Sequence, residues 1–211
     1  LELNRQMAVG GIDKVRLEQV VASEEAQLPE INAIRITDAV GNVIWGKGVD
    51  KNSPFNCADR DFFKRHREYP TGDLIITEPI KGKVSGIWVV AFTCSYHTAD
   101  GQFAGVVSAA VPADTFGQLT ASIDVGKTGT MVLRHADMGL IARVPPIKGP
   151  AGRTGNKVVS MVFRRLIESG QAVATFHTAN TPDSVERTYA FRRVAEFPFT
   201  LAVGLVDHDF F

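Results

Sequence analysis

One stretch of the sequence is repeated in outline, and this repeat constrains the fold more than any other feature. A strand, a turn containing Asp and Gly, and a returning strand are predicted both for ITDAVGNVIWG, from Ile36, and for LRHADMGLIAR, from Leu133. The two copies start about a hundred residues apart. In a chain of 211 residues, this recurrence predicts two similar modules in tandem.

Local patterns predict the remaining elements. Apolar residues mixed with Glu and Arg predict an amphipathic helix over 13–26, which ends before Pro29. A second helix is predicted over 158–168 from apolar residues at helical spacing, with Gly170 as its C-cap. Strands are predicted over 34–38, 43–45, 87–96, 103–111, 131–133, 140–142, 172–176, 185–194 and 199–206. The fold class is therefore α+β, with an antiparallel sheet in each module.

Composition excludes several classes of partner. Lys plus Arg and Asp plus Glu both number 23, so no net field attracts nucleic acid or an anionic membrane. No apolar run approaches the ~20 residues that cross a bilayer, and no signal peptide is visible. Because the sequence starts at Leu1 and not at Met, we expect it to be a piece of a longer protein whose membrane segments lie elsewhere.

No catalytic or metal-binding set is visible either. The run Gly126-Lys127-Thr128 lacks the Gly that a phosphate-binding loop needs at Ala121, and it leads into a strand where such a loop opens a helix. No GxSxG or HExxH motif is present. The histidines stand singly, at His66, His97, His135, His177 and His208. We therefore expect no enzyme, no metal and no cofactor.

Five segments together carry a resemblance to a known family. They are INAIRITDAVGNVIWG, ADRDFF, SGIWVVAFTCSYHTADGQFAGVVSAAVPADTF, IDVGKTGTMVLRHADMGLIAR and RTYAFRRVAEFPFTLAVGL. In this order and spacing they resemble the double Cache sensor domains, also called tandem PDC, and most of all those of diguanylate cyclases and histidine kinases. The resemblance implies a long N-terminal helix (1–30) packed along two tandem PAS-like modules, a membrane-distal one (31–122) and a membrane-proximal one (123–211).

The same resemblance implies a function and partners. It predicts the periplasmic part of a membrane-anchored receptor that binds a small molecule in the distal module and forms a homodimer through the N-terminal helix. Two alternatives stay open: a structural or dimerising module without its own ligand, and a periplasmic enzyme or solute-binding protein. A first module filled by its own side chains would favour the former alternative. Membrane helices encoded on either side of this segment would exclude the latter.

The resemblance also implies ligand-binding residues in the distal module. In the amino-acid-binding branch of the family, an Arg followed by two aromatic residues holds the ligand carboxylate; here Arg60, Phe62 and Phe63 match those positions. Ala110 stands where that branch has an Asp for the ligand amine. An organic acid without an amine is therefore the expected ligand. From the residues alone, Arg60 between Asp59 and Asp61 equally fits a surface salt bridge in a loop.

Three further residues are candidates for the pocket wall. Trp88, Phe92 and Cys94 alternate along the strand predicted over 87–96, so they share one face. That face either lines the pocket or packs beneath the N-terminal helix. Cys94 borders the pocket in related sensors, and Cys57 precedes the Arg60 segment, so we expect the two thiols to approach each other. They form either a disulfide or two inert buried thiols.

Overall fold

The computed structural model describes residues 2–9, 11–50, 52 and 55–206. Of the histidines considered above, His208 lies outside these residues. The helices are α1 (Glu2–Ala8), α2 (Lys14–Gln27), α3 (Asp61–Glu68), α4 (Ala113–Ala121) and α5 (Met161–Glu168). No helix in the described part of the chain is long and apolar enough to cross a membrane.

The strands form two separate antiparallel sheets. They are β1 (Ala33–Thr37), β2 (Val43–Gly46), β3 (Ile75–Ile76), β4 (Ile80–Lys81), β5 (Trp88–His97), β6 (Phe103–Pro112), β7 (Thr130–His135), β8 (Leu140–Val144), β9 (Val173–Thr178), β10 (Arg187–Arg193) and β11 (Phe199–Leu205). The first sheet has the order β2-β1-β6-β5-β3, with β4 also paired to β5, and the second has the order β8-β7-β11-β10-β9. Apart from β4, the two orders are the same. The predicted α+β fold with two antiparallel sheets is confirmed.

The repeated hairpin corresponds residue by residue in the two sheets. The turn between β1 and β2 is closed by Asp38 N–H donating to Asn42 O at 2.9 Å, and that between β7 and β8 by His135 N–H donating to Gly139 O at 2.9 Å. Each first strand shifts register once, between Ile36 and Thr37 in β1 and between Leu133 and Arg134 in β7. Because the irregularity falls at the same step of the repeat, Thr37 and Arg134 are equivalent positions.

Contacts divide the chain into two compact units. The first contains the described residues up to Thr77 together with Lys81–Pro112, and the second contains Glu78–Ile80 and the described residues from Ala113 onward. This grouping assigns α4 to the second unit. The module boundaries at residues 31 and 123 came from the family resemblance, and they stay predictions.

The N-terminal helices pack on the first sheet. The helix predicted over 13–26 is α2, whose N-cap Asp13 accepts hydrogen bonds from the Val15 and Arg16 N–H groups. Gly11, with φ of 120°, lies in the break between α1 and α2. One apolar cluster joins the helices to the sheet through Leu3, Leu17, Val21, Ile34, Ile36 and Tyr96. The face of the first sheet that carries Ile36 and Tyr96 is therefore the face beneath α1 and α2.

In the second unit, α5 covers one face of the sheet. Its Phe163 packs with Tyr189, Phe191 and Ala202 from β10 and β11. The helix begins later than the predicted residue 158, because Ser160 is its N-cap and accepts a hydrogen bond from Phe163 N–H. It ends at Glu168, and Gly170 follows with φ of 78°, the conformation expected just beyond a helix end.

Candidate functional site

The first sheet separates the predicted site residues onto its two faces. Strand alternation places Trp88, Phe92 and Cys94 on the same face of β5 as Tyr96, which is the face beneath α1 and α2. Cys94 is paired with Val107, which packs against the same apolar cluster. On this face Phe92 and Cys94 are half-buried and Trp88 is 41% exposed, and the role of all three in a ligand pocket stays a prediction.

Ala110 lies on the opposite face, together with Thr93. Helix α3 covers this face, because His66 Nε2 lies 2.9 Å from Thr93 Oγ1 in a buried contact. Ala110 pairs with Ala91 of β5 and with Ala33 of β1, so three small side chains lie side by side. All three are buried.

Arg60 and its two aromatic neighbours begin α3, so this segment is not the loop that the sequence suggests. Phe63 is fully buried, and its ring meets Phe103 edge to face at 5.6 Å between centroids. Phe62, the next residue toward the N-terminus, is half-buried. Phe63 thus fixes α3 on the sheet, and that places Arg60 at the start of the helix.

The acidic neighbours of Arg60 are paired with lysines. Asp59 Oδ1 lies 2.5 Å from Lys83 Nζ, and Asp61 Oδ1 lies 3.6 Å from Lys64 Nζ. Arg60 Nη2 donates to the carbonyl of Lys81 at 2.8 Å, and Arg60 makes no ion pair with any residue that the structure describes. The surface salt bridge considered from the sequence is therefore not how Arg60 is held here.

Further positive charge lies near Arg60. Burial raises the pKa of the Cys57 thiol, while the nearby charges of Lys83, Arg60 and Arg35 lower it and that of Asp59 raises it. Arg35 is half-buried, and its Nε has no hydrogen-bond partner in the described part of the chain. Burial also lowers the pKa of Arg35. The residues around Cys57 therefore combine three cations with one acidic side chain.

The cysteines are not bridged. Cys57 and Cys94 are free thiols, and burial raises the pKa of both. A raised thiol pKa keeps the sulfur protonated at neutral pH, and a protonated thiol is a poor nucleophile. Of the two alternatives drawn from the sequence, the structure shows free thiols and no disulfide, although both thiols are half-buried and not fully buried.

The second unit contains a cavity that the sequence did not suggest. It has a volume of about 220 Å³ and lies between the second sheet and α5. Its apolar lining includes Phe163, Phe176 and Tyr189, and the rings of Phe176 and Tyr189 are stacked at 5.2 Å between centroids. Polar groups on the lining include Arg134 and Ser160.

Arg134 is the charged residue of this cavity, and it is only 8% exposed. Nη1 donates to the carbonyls of Met138 at 2.6 Å and Asn156 at 2.9 Å, and Nη2 donates to that of Val158 at 3.4 Å. Burial and the neighbouring charge of Arg143 lower the pKa of Arg134 to about 10, so it remains charged at neutral pH. Its hydrogen-bond partners in the described chain are all neutral carbonyls.

A second set of arginines lies in the same unit. Asp183 bridges two of them, with Oδ2 at 2.8 Å from Arg143 Nη2 and Oδ1 at 2.9 Å from Arg187 Nη1. The side chains of Arg143 and Arg187 are 5% and 4% exposed. Asp183 is therefore the counter-ion of Arg143 and Arg187, whereas Arg134 has no ion pair in the described chain.

Sequence reasoning missed Arg134, although it lies inside the repeat used to identify the modules. Comparing the two copies position by position gives the missing signal. The first copy has Thr37 where the second has Arg134, and Gly46 where the second has Arg143. A polar or small residue replaced by a cation at an equivalent strand position indicates that the two modules differ in chemistry.

Metal-binding side chains are not clustered in the described part of the chain. No group of three or more His, Cys, Asp or Glu side chains in the described residues is arranged to hold a metal ion. The features that remain are cationic: Arg60 with its neighbours in the first unit, and Arg134 at the cavity of the second.

Comparison with known proteins identifies the fold. No protein-family model and no curated protein matches the sequence. Among solved structures, the extracellular domain assigned to the histidine kinase rpHK1S-Z16 is 24% identical, with a TM-score of 0.84 over 99% of this chain and 84% of that one. The periplasmic sensory domain of the Campylobacter jejuni chemoreceptor Tlp1 is 12% identical, with a TM-score of 0.70 over 98% and 87% of the two chains.

A third structure of the same fold contains a bound ligand. The ligand-binding domain of the Pseudomonas fluorescens chemoreceptor CtaA, in complex with L-serine, is 14% identical, with a TM-score of 0.64 over 99% of this chain and 86% of that one. The chain therefore has the fold of the extracellular and periplasmic sensor domains of histidine kinases and chemoreceptors, as the resemblance to double Cache domains predicts.

Proposed function

We propose that this chain is the extracellular, ligand-sensing part of a membrane-anchored signalling receptor, and that it binds a small molecule without transforming it. The observation that carries the proposal is the shared two-module fold, which covers 99% of this chain in a histidine kinase sensor. A histidine kinase or a diguanylate cyclase is the output that we propose for the whole protein. Dimerisation through the N-terminal helices stays a prediction.

We further propose that the first unit holds an organic carboxylate at Arg60. A planar guanidinium donates two parallel hydrogen bonds to a carboxylate, and within the described chain Arg60 donates one side-chain hydrogen bond, to the Lys81 carbonyl. Since Asp59 and Asp61 are paired with lysines, the charge of Arg60 is available to a ligand. The neighbouring cations Lys83 and Arg35 favour an anion over a cation at this place.

The absence of an acidic side chain at position 110 argues for a ligand without an amine. Ala110 lies on the face of the sheet that α3 covers, and it offers no charge to an ammonium group. An ammonium that loses water without gaining a partner costs on the order of 1–3 kcal/mol. Organic acids should therefore bind more tightly than α-amino acids.

A thermal-shift screen tests this proposal. A ligand at a hundred times its dissociation constant stabilises the folded state by about 2.7 kcal/mol. For a chain of this size, the melting temperature then rises by roughly 5–10 °C. We expect the shift with small carboxylates, and a smaller shift with the corresponding amino acids and amines.

Two variants make the screen specific for the site. Arg60→Ala should remove the part of the shift that arises in the first unit, without changing the melting temperature of the unliganded protein by more than a few degrees. Arg65→Ala is the matched control, because Arg65 is an exposed arginine on the same helix. An undiminished response in Arg60→Ala, or stabilisation by cationic compounds alone, would contradict the assignment of Arg60.

A further inference from the structure

We propose that the cavity of the second unit is an independent binding site for a small monocarboxylate. In this site the carboxylate is held by Arg134, and the apolar part of the ligand lies against Phe163, Phe176 and Tyr189. The inference rests on the cavity and its charge, and it is separate from the role proposed for Arg60.

The first argument is the state of the Arg134 guanidinium. It has five N–H groups, and three of them donate to the carbonyls of Met138, Asn156 and Val158. Nε–H and one Nη2–H remain without a partner in the described chain. In a planar guanidinium, Nε–H and the neighbouring Nη–H form one edge. A carboxylate accepts two parallel hydrogen bonds from such an edge. The three carbonyls fix the plane of the guanidinium, so the edge is oriented before any ligand binds.

The second argument is charge balance. Arg134 is 8% exposed, and a buried charge without a counter-ion is costly. Arg143 and Arg187 share Asp183, so this cluster adds a further net positive charge. The described residues that line the cavity include no acidic side chain. An anion that enters the cavity therefore supplies the missing counter-charge.

The third argument concerns the size and polarity of the ligand. An apolar cavity of about 150 Å³ holds benzene, and this cavity measures about 220 Å³. One ring or a short branched chain therefore fits together with a carboxylate. A phosphate or sulfate needs donors for three or four oxygens, whereas the lining is mostly apolar and Arg134 is its one charged residue in the described chain. An amino acid would leave its ammonium without an acidic partner.

The experiment is an NMR titration of the 211-residue chain with sodium benzoate, sodium 4-methylpentanoate and benzamide. Benzamide has the shape of benzoate without its charge. We expect both carboxylates to bind at millimolar concentration or below, and benzamide to bind at least about tenfold more weakly, because it lacks a charge-assisted hydrogen bond. In the unmodified protein, ligand protons should show NOEs to the methyl groups of Ala202 and Val159, which line the cavity.

Variants separate this site from the one at Arg60. Ala202→Leu should fill the cavity and weaken benzoate binding at least tenfold, whereas Ala190→Leu should leave it unchanged. Ala190 is an exposed alanine of β10, on the face of the sheet opposite the cavity. Arg60→Ala should also leave benzoate binding in the cavity unchanged.

Three outcomes overturn the inference. They are the absence of binding by either carboxylate, equal binding of benzamide, and a lack of NOEs to Ala202 and Val159 in the unmodified protein. Because the NOEs need no substitution, a variant that fails to fold does not prevent a decision. If binding is instead lost in Arg60→Ala and retained in Ala202→Leu, the carboxylate occupies the first unit. In that case the cavity site is excluded while the proposed function stands.

Discussion

Buried arginines are held in two different ways in the second unit. Arg143 and Arg187 both pair with one carboxylate, Asp183, while Arg134 is held by neutral carbonyl oxygens. Removing one partner from a buried ion pair costs more than the pair itself contributes, because the remaining charge stays in a poorly solvated place. Asp183 is therefore the residue on which two buried charges depend.

The Asp183→Asn substitution should lower the free energy of unfolding by about 3 kcal/mol. Asparagine keeps the size of the side chain and accepts one hydrogen bond, but it leaves Arg143 and Arg187 without a counter-ion. Denaturant unfolding at neutral pH measures the change. Glu186→Gln is the control, because it removes an exposed carboxylate close in sequence. Equal stability of the Asp183→Asn and unmodified proteins would contradict this account of the cluster.

The lowered pKa of the Asp183 carboxyl group predicts that the stability of the protein depends on pH in the acid range. Burial alone would raise the pKa of Asp183, but the hydrogen bond from Arg187 and the charges of both arginines lower it from 3.8 to about 2. A lowered folded-state pKa gives a stabilisation that is fully present above the unfolded-state pKa. About 1–2 kcal/mol should be lost as the pH falls from roughly 4 to 2. In acid titrations of stability, Asp183→Asn should lack this component.

Helix α3 is attached to its sheet by a polar chain as well as by Phe63. Thr93 Oγ1 donates its one hydrogen to the Ile75 carbonyl at 2.9 Å, so it must accept from His66 Nε2 at 2.9 Å. This fixes the Nε2–H tautomer of a histidine that is 1% exposed. Burial lowers the pKa of His66, which keeps the ring neutral.

Long-range ¹H–¹⁵N NMR spectra should therefore show His66 as the Nε2–H tautomer at pH 7. Because folding lowers the pKa of His66, its neutral ring stabilises the folded protein. This stabilisation is fully present above the unfolded-state pKa of about 6.5 and decreases as the pH falls below that pKa. Thr93→Val should remove the acceptor and the tautomer preference together. A protonated His66 ring at pH 7, or an Nδ1–H tautomer, would contradict the arrangement.

Elements with long, regular patterns could be predicted from the sequence, and short ones could not. The strands β5 and β6 are long and rich in β-branched residues, and their predicted limits differ by one residue from those observed. In contrast, α3 has eight residues, most of them charged, and only its packing through Phe63 distinguishes it from a polar loop. The two-residue strands β3 and β4 exist because β5 offers them a partner, which no local pattern reveals.

The candidate site residues could be predicted only in part, because their surroundings depend on how whole elements pack. The family resemblance indicated Arg60, but alternation along β5 could not tell which face the N-terminal helices cover. The position of Tyr96 in the helix cluster supplies that information for Trp88, Phe92 and Cys94. Arg134 was missed because its burial depends on the carbonyls of Met138, Asn156 and Val158, and the last two lie 22 and 24 residues further along the chain.

At the scale of the whole molecule, the second unit includes a short segment from within the first half of the chain. Pro79 is buried, and a Cβ atom built on Gly139 would lie 3.2 Å from its Cδ atom. A fragment of residues 113–211 should therefore be less stable than the same residues in the whole chain. Hydrogen exchange of the β7 and β8 amides measures the difference, and equal protection in both proteins would show that Glu78–Ile80 is dispensable.

In each sheet, the strand that comes last in the sequence pairs with the strand that comes first. In the first sheet β6 lies between β1 and β5, and in the second β11 lies between β7 and β10. A ribosome delivers these strands at the end of each half of the chain. Until β6 emerges, the β1–β2 hairpin and β5 have no strand to join them, and the second sheet waits in the same way for β11. The nascent chain must therefore keep apolar strands from pairing wrongly while most of each sheet is already synthesised. We therefore expect chaperone binding to the nascent chain to decrease once residues 103–112 have emerged from the ribosome, and again once residues 199–205 have emerged.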